Sequence, residues 1–134
     1  MNWLDYLNWS DMQTNELRSL GFAYLREGKY DLALVFFEVL NVLEADNSQD
    51  LQTLGALHLE KGDNQKALKY LDRSLQLQND AVTLLNRVKV LFKLGQKDEA
   101  IQEARLLLES ENLDIAFQAQ ALLMAFSEES PPKS

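Results

Sequence analysis

The chain repeats itself, and no other property constrains its fold as strongly. Leu20, Gly21, Tyr24, Gly28, Tyr30, Ala33 and Phe37 align with Leu54, Gly55, His58, Gly62, Asn64, Ala67 and Leu71 at a constant shift of 34. A further shift of 33 lays Gly62, Ala67 and Leu71 on Gly95, Ala100 and Ala104. Self-similarity at this period marks a supersecondary unit that cannot bury its apolar face alone and has to stack on its neighbours. Three copies of one unit are therefore expected, and 134 residues allow one folding unit rather than two independent cores.

Each unit divides into two helical stretches around a short polar break: REGKYD at 26–31, EKGDNQ at 60–65 and KLGQKD at 93–98. The glycine in each break can take the left-handed conformation without a Cβ clash, which closes the first helix and lets the chain reverse. After the break, apolar residues fall three and four apart. Ala33, Phe36, Phe37 and Leu40 form one such stripe, and Ala67, Tyr70, Leu71 and Leu75 the next, as in a helix packed along one side. The small alanine that opens each stripe lets paired helices approach closely. Both prolines, Pro131 and Pro132, lie near the C-terminal end, so nothing up to residue 130 forbids helix continuation. The chain reads as all-α.

Composition closes off several function classes. With 46% apolar and 25% charged residues, the chain has the balance of a soluble globular protein with a real core. Its net charge is −8, and residues 1–50 hold nine acids against three bases, so a phosphate backbone is repelled and no nucleic-acid partner is expected. Cysteine is absent, which excludes disulfides, thiolate metal sites and thiol nucleophiles. No apolar run reaches the roughly 18 residues of a membrane span, and MNWLDYLNWS lacks the basic and apolar segments of a signal peptide. A cytoplasmic location without membrane insertion is expected.

No catalytic constellation emerges. The only histidine, His58, stands where repeat 1 has Tyr24, and it is expected to pack within its repeat. It has no His, Cys or carboxylate partner at metal-ligand spacing. The acidic pairs Asp98 with Glu99 and Glu128 with Glu129 suit solvated helix starts and tails better than an acid and base couple. The glycines are solitary, so no phosphate-cradling loop exists. No catalytic residue, metal ligand or cofactor is expected.

The pattern LG-x-x-Y-x-x-x-G-x-Y-x-x-A-x-x-x-F over residues 20–37 resembles the tetratricopeptide-repeat (TPR) consensus, and the resemblance runs from Thr14 to about Ser110. Repeat 3 departs from it, with Val88 at the first glycine position, Leu91 at the tyrosine position and Ala104 at the late aromatic position. The resemblance implies three helix-turn-helix repeats in a right-handed solenoid, at about 14–47, 48–80 and 81–110 of a domain spanning 10–126. The helical apolar pattern from Leu113 to Phe126 is expected to form a capping helix over about 112–127, and the polar tail 128–134 is expected to be disordered.

At the other end, Trp3, Leu4, Tyr6, Leu7 and Trp9 make a short apolar arm over residues 1–9, separated from the first repeat helix by a capping box of Ser10 and Gln13. Two readings of the arm stand side by side: a cap over repeat 1, or a contact for a partner or for a second copy in a homodimer.

In the TPR family the first helices of successive repeats line a concave groove. Carried over to this chain, the groove residues are Arg18, Phe22 and Leu25 from repeat 1, Gln52, Ala56 and Leu59 from repeat 2, and Leu85, Asn86, Lys89 and Phe92 from repeat 3. Asn15, Ser19, Arg26, Thr53, Glu60, Val82 and Lys93 extend the same faces. This apolar strip with polar edges suits an extended or helical peptide. Adaptors for heat-shock chaperone C-termini carry a basic, Asn-rich carboxylate clamp on this face. Arg18, Phe22, Thr53, Leu85 and Lys89 stand at the corresponding places, so most of that clamp is missing.

The stretch LGFAYLREGKYDLALVFFEVLNVLEADN also resembles the first repeat of the small TPR chaperones of bacterial type III secretion systems. That resemblance implies a non-catalytic protein that holds an aggregation-prone export substrate, a small helical secreted subunit, soluble until export. The alternative is a scaffold or assembly adaptor that joins folded partners in a larger complex.

Overall fold

The computed structural model describes residues 2–128, and these fold as helices and connecting turns with no strand among them. In chain order the helices are α1 (Trp3–Leu7), α2 (Asp11–Arg26), α3 (Tyr30–Leu43), α4 (Ser48–Lys61), α5 (Asn64–Leu77), α6 (Ala81–Lys93), α7 (Lys97–Leu107) and α8 (Leu113–Glu128). Helices α2 with α3, α4 with α5, and α6 with α7 form three antiparallel pairs of TPR type, each packed on the next. Helix α8 lies against both α6 and α7, while α1 touches only α3. Beyond Glu128 the polar tail falls outside the described residues.

The three hairpins close in the same way. Gly62 has φ of +83°, its N–H donates to the Leu59 carbonyl at 3.1 Å, and the next N–H, of Asp63, donates to His58 at 2.9 Å. These two bonds satisfy carbonyls that the helix end would otherwise leave open. Gly28 and Gly95 sit at the same point, with matching bonds to Leu25 and Tyr24 and to Phe92 and Leu91. The starts are equally local. The Ser10 hydroxyl accepts from the Gln13 N–H at 3.3 Å while the Gln13 side chain accepts from the Ser10 N–H at 2.9 Å, and Asn47 and Asp80 cap α4 and α6.

Close approach within each pair depends on a large residue meeting a small one. A Cβ placed on Gly21 would lie 2.9 Å from the Phe37 ring, and one on Gly55 would lie 2.5 Å from Leu71 Cδ2. Repeat 3 reverses the sizes: Val88 replaces the glycine and Ala104 replaces the large residue, and both are fully buried. The departure of repeat 3 from the consensus is thus an exchange of volume across one contact, which interior packing tolerates when the total is kept.

A second geometry that recurs between repeats is aromatic. Tyr24 stacks on Phe36 with centroids 5.2 Å apart, and 34 residues later His58 stacks on Tyr70 at 5.4 Å. Around these contacts the buried residues of the described chain gather in separate clusters along the stack. Ala33, Leu34, Phe37 and Leu40 pack with Leu54 and Leu57, and Leu85, Val88, Leu91 and Phe92 pack with Ala100, Ala104, Leu107, Ile115 and Ala119. Away from the core, Arg87 of α6 ties repeats 2 and 3 together. Its guanidinium donates to Asp72 at 2.6 Å, to Glu99 at 3.2 Å and to Glu103. Burial alone would lower the Arg87 pKa, but these carboxylates raise it, so the charge is permanent.

The volume exchange can be tested. Gly55→Val is expected to cost about 1–3 kcal/mol by overpacking, and Leu71→Ala about 2–5 kcal/mol by opening a cavity. The double variant, which copies Val88 and Ala104, should cost less than the sum by more than about 1 kcal/mol. Urea unfolding followed by circular dichroism reads all three, and additive losses would contradict the explanation.

Candidate peptide-binding groove

Helices α4 and α6 lie side by side, and their facing residues line two adjoining recesses. On α6, Val82, Asn86, Lys89 and Lys93 recur at spacings of four, three and four along one face. On α4, Gln52, Thr53, Ala56, Leu59 and Glu60 face them. One cavity, of about 370 Å³, is lined by Leu25, Tyr30, Gln52, Thr53, Ala56, Leu57, Glu60, Val82 and Asn86. The next, of about 490 Å³, is lined by Ala56, Leu59, Glu60, Asn86, Lys89, Lys93, Leu122 and Phe126. Ala56, Glu60 and Asn86 belong to both, so the two recesses make one groove, with depth at the centre because Ala56 has so small a side chain.

Most of the residues expected at the groove lie there: Leu25, Gln52, Ala56, Leu59, Asn86 and Lys89. Four do not. Leu85 and Phe92 are buried in the repeat 3 core, where Phe92 stacks face to face on Phe126 at 4.2 Å. The reason is that α6 has apolar neighbours on several sides, and these two residues point to α7 and α8. Phe22 packs edge-on against Phe37 at 4.9 Å, inside the first hairpin.

Arg18 is committed to its own protein. It donates to both oxygens of Asp50 at 2.7 Å, to Glu44 at 3.2 Å and to Asn15 at 2.8 Å. Asp50 is fully buried, so losing Arg18 would strand a carboxylate in the core. The hydrogen bond to Asp50 raises the Arg18 pKa further above its ordinary value. Arg18 therefore joins α2 to α4, with four of its five N–H donors already engaged within the protein. Thr53 likewise donates its hydroxyl to the Gln49 carbonyl at 2.9 Å.

Sequence reasoning missed Tyr30, Leu57, Leu122 and Phe126. The last two belong to α8, read only as a cap, yet they form one wall of the groove. No local signal places them there, because the position of α8 relative to α4 is a tertiary result.

The arm residues Trp3, Tyr6 and Leu7 are exposed, Tyr6 by 68%, and Leu4 and Trp9 are half-buried. Trp3 and Tyr6 meet edge to face at 5.7 Å. His58 is buried, as its repeat position requires, and its Nε2 has no hydrogen-bond partner. Glu38 Oε1 lies 3.8 Å away. Burial pushes the His58 pKa below 6.5, outweighing the nearby carboxylates of Asp63 and Glu38. Among the described residues no group of His, Cys, Asp and Glu is placed to hold a metal ion. No described helix is long and apolar enough to cross a membrane.

Comparison with known proteins defines the class. Residues 51–80 match the tetratricopeptide repeat model. The photosystem I assembly protein Ycf3 of Rippkaea orientalis is 29% identical over 104 residues, 70% of this chain and 60% of that protein. Anaphase-promoting complex subunit 3 of Schizosaccharomyces pombe is 29% identical over 94 residues, 69% of this chain but 14% of that protein. Among solved structures, the chain superposes on the Yersinia enterocolitica type III secretion chaperone SycD in complex with a peptide of the translocator YopD. The TM-score is 0.78 at 22% identity, covering 89% of this chain and 95% of that one.

PcrH in complex with the chaperone-binding region of PopD gives a TM-score of 0.77 at 23% identity, covering 89% and 94%. The first TPR of Spaghetti (RPAP3), bound to an HSP90 peptide, gives 0.76 at 20% identity, covering 89% and 94%. The chain has the all-helical tetratricopeptide-repeat fold. Its architecture is shared with the type III secretion chaperones.

The depressed His58 pKa gives the fold a definite pH response. Below pH 6.5 the unfolded chain takes up a proton that folded His58 refuses. The stability held above pH 6.5 is therefore lost progressively as pH falls toward the folded pKa. His58→Tyr, which copies Tyr24, is expected to flatten the dependence between about pH 7.5 and pH 5.5. Equal slopes in wild type and variant, measured by urea unfolding, would remove His58 as the cause.

Proposed function

We propose that the chain is a non-catalytic, cytoplasmic chaperone that holds an aggregation-prone segment of another protein in the groove between α4 and α6. Its client is an export substrate of the type III secretion kind. The observation that carries this reading is the groove: two adjoining recesses with Leu25, Leu57, Leu59, Val82, Leu122 and Phe126 in their walls and Gln52 and Asn86 within reach of a peptide backbone. An apolar trough with a few polar groups suits a segment whose own apolar side chains would otherwise drive self-association. Masking it needs complementarity and mass action, with no chemistry. The peptide complexes of SycD and PcrH support the reading, since those proteins have the same fold.

A second reading, a scaffold joining folded partners, draws on the curated relatives, one an assembly protein and the other a complex subunit. It also draws on the exposed apolar side chains Val35, Val39 and Val42 on α3.

Leu59→Glu and Val82→Glu separate these readings. Val82 is 45% exposed and Leu59 half-buried, so each variant should keep wild-type helicity while placing a charge in the trough. Co-expression of the tagged chain with its genomic neighbours, followed by affinity purification, should yield a small client that is insoluble alone. Each variant is expected to lose that client by at least tenfold, on the order of 1.4 kcal/mol. Recovery of a large folded partner, indifferent to both variants, would favour the scaffold.

The exposed arm is proposed to mediate self-association, with Trp3, Tyr6 and Leu7 supplying the apolar contact. Removal of residues 1–9 is expected to reduce the mass found by light scattering from dimer to monomer. An unchanged mass would leave the arm as a flap on α3.

A further inference from the structure

The groove is electrically lopsided, although the protein as a whole is strongly acidic. Lys89 and Lys93, one turn apart on α6, line the recess next to α8, and neither has a carboxylate partner among the described residues. Glu60 lines the same recess without pairing with either. By contrast, Arg18 is neutralised by Asp50 and Glu44, Lys61 by Asp31 at 2.9 Å, and Arg87 by three acids. In a chain of net charge −8, two neighbouring cations without an acid partner, in a recess also walled by Leu59, Leu122 and Phe126, match a ligand that brings an apolar group and the counter-charge together. The other recess has no cation in its walls; its lining adds Val82, Leu25, Leu57 and Tyr30.

We propose that the segment seated in the groove is extended and carries an apolar side chain followed or preceded, three residues away, by an acidic side chain. The apolar group fills the recess beside Val82, and the carboxylate meets Lys89 and Lys93. The spacing follows from the helix. Val82 and Lys89 are seven residues apart on α6, about 10 Å along its axis, a span that an extended chain of polyproline II form covers in about three residues, one full turn, so that both side chains point the same way. The partner chemistry is an internal Asp or Glu next to an apolar anchor. A chain-terminal carboxylate is a separate matter, since Arg18 is already engaged.

This inference rests on the groove being a peptide site, and one experiment tells the two apart. The probes are nonapeptides blocked at both ends, with Leu at the third position and Asp, Asn or Lys at the sixth, their order-reversed counterparts, and a control with Ser in place of Leu. NMR titration of the full chain resolves even millimolar affinities and shows where each peptide sits. In one chain order the Asp peptide is expected to bind about fivefold more tightly than Asn, with Lys weakest, and added salt should erode the difference. The double variant Lys89→Gln with Lys93→Gln should make the Asp and Asn peptides bind equally.

Equal binding of Asp and Asn peptides to the wild type, with Leu still preferred to Ser, would overturn the acidic partner and leave the groove standing. An Asp preference that survives the double variant would also overturn it. Leu peptides binding no better than Ser peptides would bring down the groove as well.

Discussion

The close contact between the two helices of a repeat governs the rest of the structure. Where Gly21 lies under Phe37 and Gly55 under Leu71, the backbones come near enough for the whole length of each pair to interdigitate. A Cβ at either glycine would force the helices apart or push the large side chain out of its rotamer. Such a shift would pass on to the next pair, because each repeat is held only by its neighbours. The relation of α4 to α6 is set in this way, and that relation is the groove. Ala56 can floor a recess only because its helix is fixed from behind by Leu71 and Ala67.

Charged groups finish what packing begins. Arg18 and Arg87 each bridge separate helices, and each draws on acids from distant parts of the sequence. Their contribution differs from that of a surface ion pair, which is worth little. Asp50 is fully buried, and its desolvation is tolerated only while the guanidinium supplies two hydrogen bonds. The pair therefore acts on geometry: α4 has to start where Asp50 meets Arg18. The same demand removes Arg18 from ligand binding, so the cations left to the groove are those of α6.

Much of this was legible in the sequence, and the limits of legibility are physical. The glycines of the breaks announce their turns because φ near +80° strongly favours glycine, and the capping box of Ser10 and Gln13 is local chemistry. The α4 face was readable in part because Gln52 and Ala56 are polar or small where the neighbouring buried Leu51 and Leu54 are large and apolar. On α6 the pattern is ambiguous. Leu85, Val88, Leu91 and Phe92 are apolar for contacts with α7 and α8, and a periodicity of three and four does not tell a buried apolar face from an open one. Arg18 was misplaced for another reason: its partners lie 26 and 32 residues away, and no spacing rule within one helix reveals them.

Helix α8 belongs to both the core and the groove. Ile115 and Ala119 complete the core of repeat 3, while Leu122 and Phe126, further along the same helix, wall the groove. Phe126 takes part in both, since one face of its ring lies on Phe92. A segment that occupies the recess beside Leu122 and Phe126 adds contacts that exist only when α8 is docked. By mass action such a ligand stabilises the docked arrangement and the repeat beneath it. In a stack whose stability is a sum of neighbouring interfaces, the end is the natural place to lose order first. A groove built partly from α8, which packs on α6 and α7 alone among the described helices, therefore gives an occupant leverage over the docking of that helix.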